Sequence, residues 1–293
     1  MEYSWNIYEK QYFITDIHFS KITHLIYSFV KLNEDGTILP GDRWADLEFP
    51  YSKKISEEKN PPIGNFEALK LIKEKNPHLK ILLSIQDPNL INQLIIFSSS
   101  TEKKKNFIQS ILHFKNYYGF DGIDFDLQQP LRDEIEPIVL KNNDFSNILF
   151  EIRENLDPEF LLTMTLSHNF DFIKNIDFLS IHTYLDFINI LTFHYYGPWK
   201  SSESTNHNAP LYEGKNNPSP FSSIYNIKET TLCFEESGIP PNKIIIGFPF
   251  FGYIYGDIET NQNFGLYSKW SKNVKGIYLN NILDYDEIGR AHV

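Results

Sequence analysis

The chain has 293 residues, 41% hydrophobic and 15% aromatic, which is enough for the core of one barrel-sized domain or of two smaller domains. Its formal net charge of −11 argues against nucleic acid or an anionic membrane as a partner and suits a neutral sugar, although ordinary solubility explains the charge equally well. Cys233 is the only cysteine, which excludes an intrachain disulfide and a cysteine-rich metal site.

Short apolar runs alternate along the chain with helical patterns. The sequence predicts helices at 65–77, at 101–119, where Phe107, Ile111 and Phe114 share one face and Gly119 ends the helix, and at 224–238. It predicts seven strands: residues 2–5, ITHLIYSFV (22–30), LKILLSI (79–85), GFDGIDFDL (119–127), FLLTMTL (160–166), DFINILTF (186–193) and KIIIGFPF (243–250).

This alternation predicts a parallel sheet, because each parallel return needs a crossover. Seven strands favour an incomplete (β/α)8 TIM barrel, the eighth strand missing, over a doubly wound sheet; no glycine-rich phosphate loop follows any strand. Two stretches predicted to be irregular, residues 31–62 and 200–221, follow strands, where a barrel carries its functional loops. No apolar run reaches the roughly 18 residues of a membrane span.

The strand FDGIDFDLQQP, residues 120–130, carries the main chemical signal. Because side chains alternate along a strand, Asp124, Asp126 and Gln128 are predicted to face the barrel interior, while the residues between them face the covering helices. Buried carboxylates are costly unless they are paired or used. The alternative is that these residues are buried caps or part of a turn around 121–122.

The same strand resembles the D-G-x-D-x-D-x-E signature of the family-18 glycoside hydrolases, the chitinases, especially the fungal and bacterial endochitinase branch. Four further segments resemble that family in the same order: WNIYEKQYFITDIHFSKITHLIYSF, LKILLSIQDPN, YLDFINILTFHYYGPW and PNKIIIGFPFFGYIYG. The resemblance runs from about residue 3 to 286. It implies a barrel over residues 1–250 and the beginning of a small α+β insertion domain over 251–286.

The resemblance also implies a mechanism in which a glutamic acid protonates the glycosidic oxygen and the N-acetyl carbonyl of the substrate attacks the anomeric carbon. Asp126 would orient the acetamido group, and Asp124 would share a proton with it. A tyrosine and an aspartate on a later strand, in the segment that here is LTFHYYGPW, would hold the acetamido oxygen.

This sequence departs from the family pattern at the acid. Gln128 stands at the proton-donor position, and its amide has no proton to give at neutral pH. Phe193 replaces the tyrosine that would hold the acetamido oxygen, and His194 replaces the aspartate. The other departures are Gln86 and Asp87 in place of two glycines, and Leu127 and Gln129 in place of a tryptophan and a tyrosine.

Aromatic residues at the predicted barrel mouth are candidates for stacking on sugar rings. Tyr195, Tyr196 and Trp199 lie just past a strand, and by the resemblance Phe29 and Asp126 join them as substrate-binding residues. Core packing is the alternative for the tyrosines. His194 near the two aspartates raises the question of a metal, but no ligand spacing supports one, so neither a metal nor a cofactor is predicted.

These observations predict a non-hydrolytic chitinase-like protein, a monomer, that binds chitin or N-acetylglucosamine oligomers, with no nucleic-acid or membrane partner. One alternative is a weakly active or altered chitinase; another is a functionless gene fragment. The family implies secretion, but MEYSWNIYEK lacks the apolar region of a signal peptide, so the compartment is left open. The closing residues 287–293 differ in composition from the rest, resemble a translated sequencing adapter, and are predicted not to be native.

Overall fold

A computed structural model describes residues 2–8, 10–52, 60–87, 90–128, 142–199, 204–259, 264–276 and 280–285. Its strands are β1 Glu2–Tyr3, β2 His24–Leu32, β3 Ile38–Pro40, β4 Lys80–Ile85, β5 Gly122–Asp126, β6 Leu161–Ser167, β7 Phe187–Leu191, β8 Ile244–Ile246, β9 Phe251–Tyr253 and β10 Ile282–Asp284. Its α-helices are α1 Gly64–Lys75, α2 Leu90–Ser98, α3 Thr101–Tyr118, α4 Asn142–Asn155, α5 Phe170–Ile173, α6 Phe178–Ile181 and α7 Ile227–Glu236.

All seven predicted strands are present, as β1, β2, β4, β5, β6, β7 and β8. Strands β1, β2, β4, β5 and β6 follow one another across the sheet, each parallel to the next, which confirms the predicted parallel α/β architecture. The register aligns Ser28, Ser84, Asp124 and Thr163 in one row across β2, β4, β5 and β6. A row of polar side chains therefore crosses the sheet where the motif strand lies.

The chain divides into two compact units. The first contains residues 1–166 and 174–188, and the second contains residues 167–173 and 189–293. The first unit holds β1 to β6, and the second holds β8, β9 and β10, with β9 and β10 forming an antiparallel pair. The family boundary predicted at residue 250 stays a prediction, and the tail at 287–293 lies outside the described residues.

Helix α3 shows why the local sequence folds as predicted. The Ser100 side chain accepts a hydrogen bond from the backbone N–H of Lys103 and caps the first turn, and Gly119 ends the helix at φ 78°, in the left-handed region that favours glycine. The predicted apolar face is buried, as Phe107, Ile111 and Phe114 show. Helices α1 and α7 also lie where they were predicted, and Cys233 is half-buried within α7.

The described parts of the stretch 31–62, residues 31–52 and 60–62, are more ordered than predicted. They contain β3, which pairs antiparallel with β2, and a single π-helical turn, Trp44–Glu48. Asp46 in this turn is fully buried and accepts a hydrogen bond of 2.5 Å from the hydroxyl of Tyr27 on β2. Asn65 of α1 donates to the same hydroxyl over 2.8 Å. Such long-range side-chain bonds fix the loop, and sequence periodicity does not detect them.

The described part of the chain contains no helix both long and apolar enough to cross a membrane.

Candidate functional site

Asp124 lies at the centre of the polar row, fully buried. Its carboxylate accepts hydrogen bonds from Ser84 Oγ on β4 (3.0 Å), from Thr163 Oγ1 on β6 (2.6 Å) and from Thr165 Oγ1 on β6 (2.9 and 3.1 Å). Hydrogen bonds to a charged group contribute about 1.5–3 kcal/mol each. This carboxylate therefore joins three neighbouring strands.

The other face of β5 packs against helices, as the alternation of side chains predicted. Phe125 is fully buried, with its ring centroid 6.4 Å from that of Phe107 on α3 and 5.6 Å from that of Phe145 on α4. Ile123 and Leu127 are buried as well. The motif strand thus separates an apolar face from a polar one within five residues.

Gln128 and Asp126 form a closed pair just past the end of β5. The backbone N–H of Gln128 donates to Asp126 Oδ1 over 3.1 Å, and its side-chain Nε2 donates to Asp126 Oδ2 over 2.9 Å. Burial first, and then the charge of Asp124, raise the pKa of Asp126 to about 7. The carboxyl of Asp126 can therefore hold a proton near neutral pH, whereas Gln128, at the predicted donor position, holds an amide.

His194, which stands where the resemblance expects an aspartate that holds the acetamido oxygen (the clamp position, together with Phe193), lies in the second unit. Its backbone lies at φ 64°, its N–H donates to Asn208 Oδ1 over 2.8 Å, and its Nδ1 makes a hydrogen bond with the hydroxyl of Tyr253. Burial lowers the pKa of His194 to about 4, so the imidazole is neutral at physiological pH. The ring of neighbouring Phe193 lies 4.8 Å from the imidazole and offers no polar atom.

His168 is a neighbour of this position that sequence reasoning missed. It is 2% exposed, its ring centroid lies 4.2 Å from that of Tyr195, and neither ring nitrogen has a hydrogen-bond partner of good geometry among the described residues. Burial and then the charge of His194 lower its pKa to about 4. A lone histidine after a strand carries no sequence signal, because its role depends on what the fold packs against it.

The structure places the predicted aromatic residues in different surroundings. Tyr195 is buried and donates to Thr230 Oγ1 over 2.6 Å, and Tyr196 belongs to the same buried cluster with Ile227. Trp199 is half-buried, with its ring 5.6 Å from that of Tyr253. Of these three residues, only Trp199 keeps a ring open to a ligand in this conformation.

A Cβ on Gly197 would lie 1.9 Å from Trp199 Cζ3, so the indole of Trp199 packs directly on the backbone of this glycine.

Phe29 is buried within β2, and its ring centroid lies 5.5 Å from that of Tyr3. Sequence reasoning missed another pair in the same unit, Tyr8 and Trp44, whose ring centroids lie 5.6 Å apart with an angle of 20° between the planes. These two side chains are 44% and 43% exposed; Tyr8 follows β1, and Trp44 lies in the segment between β2 and β4, after β3. The signal that could have found them is their position in the loops after two adjacent parallel strands.

The predicted residues thus divide between the units: Phe29, Asp124, Asp126 and Gln128 in the first, and Phe193, His194, Tyr195, Tyr196 and Trp199 in the second. Within the described ranges, no group of three or more His, Cys, Asp or Glu side chains has the geometry to hold a metal.

Comparison with known proteins identifies the family. The family model for the glycosyl hydrolases of family 18 matches residues 3–291. The chain belongs to this family.

Among curated family 18 relatives, Chitinase 1 of Aphanocladium album is 29% identical over 98% of this chain and 67% of its own length. The structure of chitinase ChiA74 from Bacillus thuringiensis matches 97% of this chain and 54% of its own, with a TM-score of 0.80 and 24% identity, which confirms the family 18 fold. Human YKL-39, described as a pseudo-chitinase with retained chitooligosaccharide binding properties, matches 99% of this chain and 76% of its own at a TM-score of 0.76 and 25% identity.

Proposed function

We propose that this family 18 chain is a non-hydrolytic chitinase-like protein that binds chitin or N-acetylglucosamine oligomers. The observation that carries the proposal is the hydrogen-bonded pair of Gln128 and Asp126, in which the donor position holds an amide whose nitrogen donates to the carboxylate. General acid catalysis is typically worth about 10²–10⁴-fold in rate, and an amide supplies none of it at neutral pH.

The clamp position supports the same proposal. Substrate-assisted hydrolysis needs the acetamido group held in attack geometry, and the resemblance assigns that task to a tyrosine and an aspartate. Phe193 has no hydroxyl, and the imidazole of His194 is already bonded to Tyr253. Misplacement by about 1 Å can cost about 10²-fold in rate.

Sugar binding needs aromatic surface and polar groups, and both are retained. Trp199 is held over Gly197 with a half-buried ring, and the stacked pair of Tyr8 and Trp44 is exposed. The relation to YKL-39, whose description combines a lost activity with retained chitooligosaccharide binding, gives a precedent within the family.

Two measurements on the same preparation test the proposal. Calorimetric titration with N-acetylglucosamine tetramer is expected to show binding, and a reducing-end assay on the same sugar is expected to show no release above buffer. Trp199→Ala should weaken binding, whereas Trp270→Ala, which removes a half-buried tryptophan packed on Tyr255, should not. Absence of binding by the unmutated protein would contradict the proposal and favour a functionless fragment.

The second candidate function is a weakly active chitinase. The observation in its favour is the pKa of Asp126, raised to about 7, since this carboxyl keeps its proton under mildly acidic conditions. Release of reducing ends that rises below pH ~7 and disappears in the Asp126→Asn variant would establish this alternative and overturn the first.

A further inference from the structure

The amide of Gln128 has a defined orientation. Its Nε2 lies 2.9 Å from Asp126 Oδ2, and its backbone N lies 3.1 Å from Asp126 Oδ1. An ionised carboxylate only accepts hydrogen bonds, so the group of Gln128 that faces it must be the NH₂ and not the carbonyl. The carboxylate therefore decides which end of the amide is left for a ligand.

The polar atom that remains is an acceptor. No described residue donates a hydrogen bond to Gln128 Oε1, and the side chain is half-buried just past the end of β5. An amide oxygen has two lone pairs and no proton, so it is satisfied only by an N–H or O–H group. An ether oxygen of a ligand has no proton to donate. Placed at the same point, its lone pairs would face the lone pairs of Gln128 Oε1.

We propose that Gln128 accepts a hydrogen bond from the ligand, so that this site binds the free reducing end of an N-acetylglucosamine oligomer and disfavours a glycosidic linkage at the same place. The inference rests on the proposed function, in which residue 128 faces the oxygen on the anomeric carbon. That oxygen is an O–H donor in a free reducing end and an acceptor in a linkage. The site thereby selects a chain terminus instead of an internal bond.

Calorimetric titration with two sugars tests this inference on the unmutated protein. The ligands are N-acetylglucosamine tetramer and its methyl β-glycoside, compared above about pH 8, where the carboxyl of Asp126 is ionised. Removal of the donor leaves the amide oxygen unpaired, so the methyl glycoside should bind about tenfold more weakly or worse. Equal affinities would overturn the inference and leave the proposal of chitin binding intact.

Two variants separate the hydrogen bond from the bulk of the methyl group. Gln128→Met keeps a similar length but has no acceptor, so the tetramer and its glycoside should bind it with nearly equal affinity. Asp126→Asn can itself donate to Gln128 Oε1, which should turn the amide, present N–H to the ligand and abolish or reverse the preference.

If Gln128→Met still binds the free tetramer more tightly than the methyl glycoside, the bulk of the methyl group explains the preference, and the inference is overturned. Failure of the unmutated protein to bind either sugar would contradict the proposed function, and with it this inference. Because the comparison of the two sugars needs no substitution, a variant that fails to fold in a thermal unfolding check does not affect it.

Discussion

At the scale of single residues, Gln128 keeps the size and hydrogen-bonding reach of a glutamate and lacks only the proton. Its neighbours on the motif strand are intact, since Asp124 and Asp126 remain and are hydrogen-bonded. At the clamp position, however, His194 is hydrogen-bonded to Tyr253 and Asn208, and the side chain of Phe193 carries no polar group. The altered residues therefore belong to more than one part of the predicted machinery.

We predict that Gln128→Glu alone does not bring back measurable hydrolysis. By the resemblance, hydrolysis also needs the acetamido group held in attack geometry by the two positions that Phe193 and His194 occupy here. The triple change Gln128→Glu, Phe193→Tyr, His194→Asp should release more reducing ends than the single changes would predict by addition, because residues that act as one unit are not additive. The double change Phe193→Tyr, His194→Asp, which keeps the amide, is the matched control and should stay inactive. If Gln128→Glu alone were as active as the triple variant, other residues would have to hold the acetamido group, and the prediction would be wrong.

The pH dependence of stability should report the buried carboxyl of Asp126. Its pKa is about 7 in the folded protein, against about 4 in an unfolded chain, so the folded state binds more protons between these pH values. Stability therefore falls as pH rises from about 4 to 7, and the full cost, about 4 kcal/mol, is present above about pH 7.

In denaturant unfolding, Asp126→Asn should gain stability over the unmutated protein as pH rises through this range. The exposed carboxyl of Asp35 is the control: the backbone N–H and hydroxyl of Thr37 lower its pKa, so it titrates below this range and the difference between Asp35→Asn and the unmutated protein should stay constant through it. A pH-independent difference for Asp126→Asn would contradict the assigned pKa.

At the scale of elements, strand β5 is held against β6 by close backbone contact. A Cβ added to Gly122 would lie 2.5 Å from the carbonyl oxygen of Leu161 and 2.9 Å from Leu82 Cγ. The strand that carries the motif acids therefore begins at a position where no side chain fits. The glycine of the motif keeps the two strands in register, and it does not need to take part in chemistry.

We predict that Gly122→Ala lowers the free energy of unfolding by about 2–3 kcal/mol, the range of an overpacked core. Gly119→Ala is the matched control three residues earlier: a Cβ there meets nothing within 4 Å, but φ is 78°, so the cost should be about 1 kcal/mol of backbone strain. Denaturant unfolding of both variants gives the comparison. Equal losses would mean that the contact with Leu161 relaxes freely.

At the scale of the whole molecule, the seven strands and three named helices were predictable because each carries its own periodicity. The face of α3 made by Phe107, Ile111 and Phe114 is a local pattern, and so is its stop at Gly119. The alternation of Asp124, Phe125 and Asp126 likewise indicated which side chains face polar partners and which face helices.

What the sequence did not indicate depends on residues far apart in the chain. Tyr195 is buried because α7 and the segment after β6 bring Thr230 and His168 against it. The spacing of Tyr195 in the sequence does not contain this packing, so core packing and stacking on a sugar ring were equally good interpretations of it. The π-helical turn held by Asp46 depends on Tyr27 and was predicted to be irregular for the same reason. The roles assigned to the site residues stay predictions.

Ligand binding should stabilise the molecule as a whole. Free N-acetylglucosamine tetramer at about 100 times its dissociation constant adds about 2.7 kcal/mol, which for a chain of this size raises Tm by roughly 5 °C. Glucose tetramer with the same linkage lacks the acetamido groups and is the control. Equal shifts with both sugars would show that the acetamido groups are not recognised.

The hydrogen bonds that Asp124 accepts from β4 and β6 have a consequence for predicting enzyme activity from genome sequences. An acid that ties three strands together contributes to folding whether or not any bond is cleaved nearby. Asp124 therefore reports on the scaffold, and catalytic competence has to be judged from position 128 together with positions 193 and 194. A survey that counts chitin-degrading enzymes by the aspartates alone would count this chain whether or not it hydrolyses chitin.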